Sequence, residues 1–103
     1  MFNNNYTTSS YDYYLVPTSN EEYLSKDYFE YFTNDELRLA RNEILARHGR
    51  IFNSSDLQTY FENQAWYTPS YDPDTFDSNM EKILNDYEKA NIETIKEIEA
   101  ERK

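Results

Sequence analysis

The chain contains one glycine, Gly49, and it stands directly after the only histidine, His48. The segment before this pair begins at Thr33, which is followed three residues later by Glu36. That spacing is typical of a capping box at the start of a helix. Glycine is favoured just past the end of a helix because it adopts a left-handed backbone at little cost. The sequence therefore predicts a first long helix that begins at Thr33 and ends at Gly49.

Three further segments carry helical signals. Each has a serine where an N-cap is expected, and two of them have Gln or Glu three residues later. The stretch 68–77 contains two of the three prolines and is predicted to be a loop. The predicted helices are 25–32 with Ser25 as cap, 54–67 with Ser55 and Gln58, and 78–101 with Ser78 and Glu81.

The N-terminal part of the chain has a different character. Residues 1–10 are polar and are predicted to be a disordered tail. The next segment, "YDYYLVP" (11–17), is aromatic and ends at a proline, which favours an extended backbone. Residues 11–101 are then one domain of the all-α class. We predict a small three-helix bundle, with the extended segment and the short helix 25–32 packed on it.

The predicted long helix has apolar residues on both sides. Leu37, Ile44 and their neighbours form one side, and Leu39 and Ala46 form the other. Such a helix is usually sandwiched between other elements. We expect later helices to cover the Leu37 side and the segment 11–17 to cover Leu39 and Ala46. In the last helix, Asn91 interrupts an apolar stripe, and a buried amide there needs main-chain partners.

Charge and composition exclude several classes of function. The 103 residues carry a net charge of -10, with 20 acidic and 10 basic side chains, which disfavours nucleic acid and anionic membrane surfaces. A basic protein face, a sugar or a divalent cation would suit this charge better. There is no cysteine and only one histidine, so thiolate zinc sites and two-histidine metal sites are excluded. We expect no metal and no cofactor.

Targeting signals are weak. No apolar run reaches membrane-spanning length, and "MFNNNYTTSS" lacks the apolar core of a signal peptide. These features predict no membrane insertion by this segment. They predict either a cytoplasmic chain or a soluble piece of a longer exported protein.

Two groups of residues are candidates for a ligand site. Arg41, Glu43, Arg47 and His48 bring charge to the second half of the predicted helix, and Glu43 and Arg47 have the spacing of a helical ion pair. Trp66 and Tyr67 offer rings on which a sugar could stack. Both groups have structural alternatives. Arg41 would need a carboxylate or several carbonyls if it is buried, Arg47 and His48 would lock the helix end, and Trp66 would complete the core.

The string "LRLARNEILARHGRIF" (37–52) resembles the signature of the YARHG domain, a bacterial module. Leu45 stands where the family name has tyrosine, and Ala46, Arg47, His48 and Gly49 follow it. The segments "YLVPTSNEEYLS", "YFENQAWYTP" and "ILNDYEKANIETIKE" also resemble that family in the same order, so the resemblance covers roughly residues 13–98. It implies an extracellular domain attached to bacterial surface or membrane proteins, for which an enzymatic role has been supposed.

Three functions are compatible with these features. The first is a non-catalytic binding module of a cell-envelope or secreted protein, whose ligand is a cell-wall glycan, a peptide or a protein. The second is a small hydrolase acting on cell-wall material with a centre made of Glu43, Arg47 and His48. The third is a structural spacer whose last helix leads toward another domain.

Overall fold

The computed structural model describes residues 13–103, and these residues form four α-helices and one short 3₁₀ helix. The predicted all-α class and helical bundle are confirmed, although the described part has four α-helices where three long ones were predicted. The predicted tail 1–10 and the start of the segment 11–17 lie outside the described residues. The helices are the 3₁₀ helix Lys26–Phe29, α1 Asn34–Ala46, α2 Ser55–Glu62, α3 Pro73–Ile83 and α4 Asp86–Glu101.

The capping box that starts α1 is confirmed, whereas the helix ends three residues before Gly49, its predicted end. Thr33 Oγ1 accepts a hydrogen bond from the Glu36 N–H at 3.1 Å, and Glu36 Oε1 accepts one from the Thr33 N–H at 2.8 Å. The last helical residue is Ala46, and the Gly49 N–H donates to its carbonyl at 2.8 Å. Gly49 has φ +92°, which is the left-handed backbone that its identity predicted.

Two predicted helices are too long. Ser25 is the N-cap residue of the first, as predicted, whereas the predicted cap Ser55 of the second is wrong. The 3₁₀ helix covers half of 25–32, and the Ser25 side chain makes no capping bond. α2 ends at Glu62 rather than at residue 67, and its cap is Ser54. The Gln58 side chain therefore does not cap the helix but reaches back to accept the Phe52 N–H at 2.9 Å. This contact fixes the loop between α1 and α2.

The prediction of one helix over 78–101 is also wrong. Residues 73–83 form α3, which starts inside the predicted loop because Asp72 caps it and Pro73 takes its first position. The chain becomes extended at Leu84, with ψ 143°, and a new capping box between Asn85 and Glu88 starts α4. Leu84 is buried there, so the break turns an apolar side chain into the core.

Two apolar clusters lie on the two sides of α1. Val16 and Leu24 join the larger cluster on the Leu37 side, together with residues of α3 and α4. The prediction that later helices cover this side is confirmed. Ala46 belongs to the smaller cluster with Leu57 and Phe61 of α2, and Leu39 packs against it. The prediction that the N-terminal segment covers Leu39 and Ala46 is wrong, because α2 takes that place.

The N-terminal segment forms bends and turns rather than a strand between residues 15 and 21. Its anchors are Val16 and Ser19, which are both fully buried. None of the helices in the described part has the length and the apolar content that crossing a membrane requires.

Candidate functional site

The candidate residues on α1 and just after it all bind other parts of the chain, and two of them bind the same segment. Arg41 forms a two-pronged ion pair with Glu99 of α4, at 2.7 Å from Nε to Oε1 and 3.2 Å from Nη2 to Oε2. About a quarter to a third of each side chain is exposed, and the pair lines a cavity of about 400 Å³ with Lys96, Ala100 and Lys103. The carboxylate partner that the sequence required for Arg41 is present.

Glu43 is buried, and its carboxylate binds the main chain of the N-terminal segment. Oε1 accepts the Leu15 N–H at 2.9 Å, and Oε2 accepts the Val16 N–H at 3.0 Å. Burial raises the pKa of Glu43 above its ordinary value, while the two N–H groups and the charge of Arg47 act in the opposite direction. Both oxygens are thus occupied by the protein's own backbone.

Arg47 binds carbonyl groups of the same N-terminal segment. Its Nη1 donates to the Val16 carbonyl at 3.1 Å, the Pro17 carbonyl at 3.3 Å and Ser19 Oγ at 3.2 Å. The guanidinium also lies over the Tyr14 ring, 4.2 Å from its centroid. The predicted direct ion pair between Glu43 and Arg47 is wrong, because both side chains bind the N-terminal segment instead.

His48 joins the end of α1 to the start of α4. Its Nε2 lies 2.7 Å from Glu88 Oε2, and the other oxygen of Glu88 accepts the Asn85 N–H at 2.9 Å. The Glu88 side chain is 5% exposed and the His48 side chain 31% exposed. Burial raises the pKa of Glu88, but the bonds from His48 and Asn85 outweigh it and the pKa lies below its ordinary value. An ionised carboxylate only accepts, so His48 Nε2 carries the hydrogen.

Gly49 packs directly against the loop before α3. Its carbonyl accepts the N–H groups of Ser70 at 2.8 Å and Tyr71 at 3.0 Å. A Cβ at this position would lie 2.7 Å from the Ser70 side chain and 2.8 Å from the Thr68 carbonyl. The motif Arg47–Gly49 therefore fastens three distant segments: residues 14–19, the start of α4 and residues 68–71.

Trp66 and Tyr67 belong to the smaller apolar cluster. Tyr67 is buried, and its hydroxyl donates to the Arg50 carbonyl at 2.7 Å. Trp66 is partly buried against Phe61 and against Tyr14, whose ring centroid is 5.0 Å away. The buried Trp66 Nε1 has no hydrogen-bond partner among the described residues. The structural alternative for both rings is supported by this packing.

Glu43, Arg47 and His48 do not share a substrate space in the described residues. Two of them bind the main chain of the N-terminal segment, and the third binds Glu88. None of these three side chains lines the cavity beside Arg41, the cavity between α3 and α4, or the cavity next to Asn34. Over the same residues, no group of three or more acidic or histidine side chains is placed to hold a metal ion.

Several residues of this region were missed in the sequence. The spacing of Asn85 and Glu88 is itself a capping box and could have located both the start of α4 and the carboxylate near His48. The roles of Tyr14 and Ser70 had no local signal, because they depend on contacts between segments more than twenty residues apart.

The family model described as the YARHG domain matches residues 12–100. This domain is generally found in extracellular proteins. No curated protein and no solved structure significantly matches the chain.

Proposed function

Since the chain belongs to the YARHG domain family, we propose that it is a non-catalytic binding module of a bacterial cell-envelope or secreted protein. Its ligand is a cell-wall glycan, a peptide or a protein partner. The family supports an extracellular setting, and the arrangement of the signature residues supports binding rather than catalysis.

The observation that carries this proposal is the use of the signature side chains inside the fold. Glu43 holds two backbone N–H groups, Arg47 holds two carbonyls, and His48 holds a buried carboxylate. Groups that are committed to internal bonds are poor candidates for moving protons on a substrate, because a substrate would have to displace those bonds. The signature side chains therefore stabilise the fold, and the ligand surface of the module lies elsewhere.

Tyrosine rings dominate the exposed apolar surface of the described residues. Six tyrosines are exposed among residues 13–103. Tyrosine offers a broad apolar face and a polar tip at a low cost in side-chain entropy, which suits both sugar and peptide ligands. These residues are Tyr13, Tyr23, Tyr28, Tyr31, Tyr71 and Tyr87.

The six residues singled out in the sequence stay predictions as ligand contacts, and their exposure separates them. Arg41 and Trp66 keep part of their surface open. Glu43 and Tyr67 are buried, so a ligand would reach them only after the N-terminal segment or the second cluster had moved. Arg47 and His48 are partly exposed, but their polar atoms already have partners.

An NMR titration of the isotope-labelled chain tests the proposal. The probes are chitotriose, a muramyl dipeptide, a capped tetralysine peptide and a capped tetraglutamine peptide. We expect saturable shifts of backbone amides near exposed tyrosines with at least one probe. If none of the four shifts any amide at millimolar concentration, the binding module is refuted and the structural-spacer alternative gains support.

One observation favours the hydrolase as a second candidate. The His48 imidazole is partly exposed and is oriented by a buried carboxylate, as general bases often are. The partner is Glu88, whereas the sequence had pointed to Glu43. Release of dye from labelled cell walls tests this candidate, with His48→Gln as the matched variant. We expect no release above buffer, and release that is lost in His48→Gln would establish the hydrolase instead.

A further inference from the structure

We propose that Tyr23 and Tyr87 form the docking site for a basic peptide segment of a partner protein. This inference rests on the proposed function and names the kind of ligand and the surface that binds it. The site lies where the loop before the 3₁₀ helix meets the first turns of α4.

Tyr23 and Tyr87 form a pair of rings that lies outside the apolar core of the described residues. Their centroids are 4.6 Å apart, yet Tyr23 is 65% and Tyr87 37% exposed. Neither residue belongs to the two apolar clusters of the described chain. An exposed aromatic pair leaves much of its ring surface facing water, and such a surface is available to a ligand.

The position of Tyr23 is fixed in advance, although it lies in a loop. Two asparagine side chains of α4 and its cap, Asn85 and Asn91, hold the main chain on both sides of it, and Asn91 is buried. A surface that is already ordered loses less entropy when a ligand binds. The bonds are Asn85 Nδ2 to the Asn20 carbonyl at 2.9 Å, Asn91 Nδ2 to the carbonyls of Ser19 at 2.9 Å and Glu22 at 2.8 Å, and the Leu24 N–H to Asn91 Oδ1 at 2.8 Å.

The acidic residues that adjoin both tyrosines in the chain favour a cationic ligand. Glu22 is next to Tyr23 in the chain and Asp86 is next to Tyr87, and both acidic residues are exposed. Neither of them takes part in an ion pair within the described residues. Tyrosine faces attract ammonium and guanidinium groups through the negative potential of the ring. Rings and carboxylates thus favour the same kind of ligand, and a chain with net charge -10 attracts it over a longer range.

The angle between the rings favours a compact cation over a sugar. The two ring planes are inclined at 50°. One flat sugar face therefore cannot lie against both rings, whereas a lysine or arginine end group needs only one ring face. A polypeptide that carries several basic side chains could satisfy both rings and both acidic residues.

Calorimetry with the full chain and the capped tetralysine peptide tests this site. The matched variants are Tyr23→Leu/Tyr87→Leu, which removes the aromatic faces, and Tyr23→Phe/Tyr87→Phe, which keeps them. Both positions are exposed, so circular dichroism should show an unchanged fold. We expect the leucine variant to bind about tenfold more weakly and the phenylalanine variant to bind like the wild type.

A second comparison separates this site from general attraction by an acidic protein. Glu22→Gln/Asp86→Asn removes two charges at the site, and Glu30→Gln/Asp35→Asn removes two exposed charges elsewhere, with Asp35 also in the first turn of a helix. We expect only the first variant to weaken tetralysine binding at physiological ionic strength, where distant charges are screened. Equal weakening by both variants would overturn the site.

The outcomes also separate this inference from the proposed function. If tetralysine binds the leucine variant as tightly as the wild type, or if only another probe binds the chain, the module binds but this site is wrong. If chitotriose shifts the amides of Tyr23 and Tyr87 while tetralysine does not, the site takes a glycan and the basic peptide is wrong. If no probe binds at all, both proposals fail.

Discussion

Glu43 and Arg47, one helical turn apart on α1, bind the same stretch of main chain with opposite charges. The carboxylate accepts the N–H groups of Leu15 and Val16, and the guanidinium donates to the carbonyls of Val16 and Pro17. The two side chains do not neutralise each other directly. They place Val16 in the core by satisfying the polar groups on both sides of it, which a buried loop needs.

Replacing Glu43 with alanine should lower the free energy of unfolding by about 3 kcal/mol, because two backbone N–H groups lose their acceptor. Urea denaturation followed by circular dichroism measures the change. Glu93→Ala is the control, since Glu93 is an exposed glutamate of α4. It should cost less than about 0.5 kcal/mol. A similar small cost at both positions would contradict the role of Glu43.

Gly49→Ala should lower the free energy of unfolding by about 2 kcal/mol or more, because an L-residue is strained at φ +92° and its Cβ meets Ser70 and Thr68. Thermal denaturation of three variants separates the contact with Ser70 from the other two causes, the backbone strain and the contact with the Thr68 carbonyl. In the Ser70→Gly background, Gly49→Ala no longer meets the Ser70 side chain, but the strain remains. Gly49→Ala should therefore cost less stability in that background than in the wild type, but still a measurable amount. Full recovery would mean that the backbone is not strained.

Asn91→Asp should lower the free energy of unfolding by about 3 kcal/mol, because the bonds that Asn91 donates to the carbonyls of Ser19 and Glu22 become contacts between acceptors. Hydrogen exchange should show faster exchange of the Leu24 amide as the loop loosens. Asn79→Asp is the matched control on the exposed face of α3, where the amide bonds one carbonyl of its own helix. Equal losses of stability in Asn91→Asp and Asn79→Asp would contradict this prediction.

The stability conferred by Glu88 should depend on pH with a definite sign. Its folded-state pKa lies below the ordinary value of 4.5, so its contribution is present above that pH and is lost as the pH falls through the lowered pKa. The advantage of the wild type over Glu88→Gln should therefore shrink on acidification below about pH 4.5. Urea denaturation across this range measures it.

Glu43 serves as an internal control for that experiment, because its contribution to stability should depend on pH with the opposite sign. Its folded-state pKa is raised, so the ionised form is disfavoured by folding and stability increases as the pH falls through the raised pKa. The advantage of the wild type over Glu43→Gln should grow on acidification toward pH 4.5. Curves that change in the same direction for the two variants would contradict one of the two assignments.

Part of the candidate region could be read from neighbouring residues. The Asn91 amide in an apolar stripe predicted main-chain partners, and the structure provides three of them. Arg41 on an inner face predicted a carboxylate, and Glu99 supplies it. In each case the sequence indicated what kind of partner the side chain needs, but not which segment supplies that partner.

Helix boundaries show where local signals compete. Serine followed three residues later by Glu or Gln occurs at Ser55 and at Ser78, and neither pair caps a helix. The same spacing at Thr33 and at Asn85 does cap one. The difference lies in packing, because the break before Asn85 lets Leu84 enter the core.

The helical class, the start of α1 and the left-handed backbone of Gly49 could be predicted from the sequence, because these depend on residues a few positions apart. The fold of the whole chain was needed to show that Arg47 and Glu43 share the N-terminal segment, that His48 meets Glu88, and that Tyr23 lies on Tyr87. Those contacts join segments that are 27 to 64 residues apart. A side chain's chemistry restricts what it must meet, but the packing of the whole chain selects which segment arrives there.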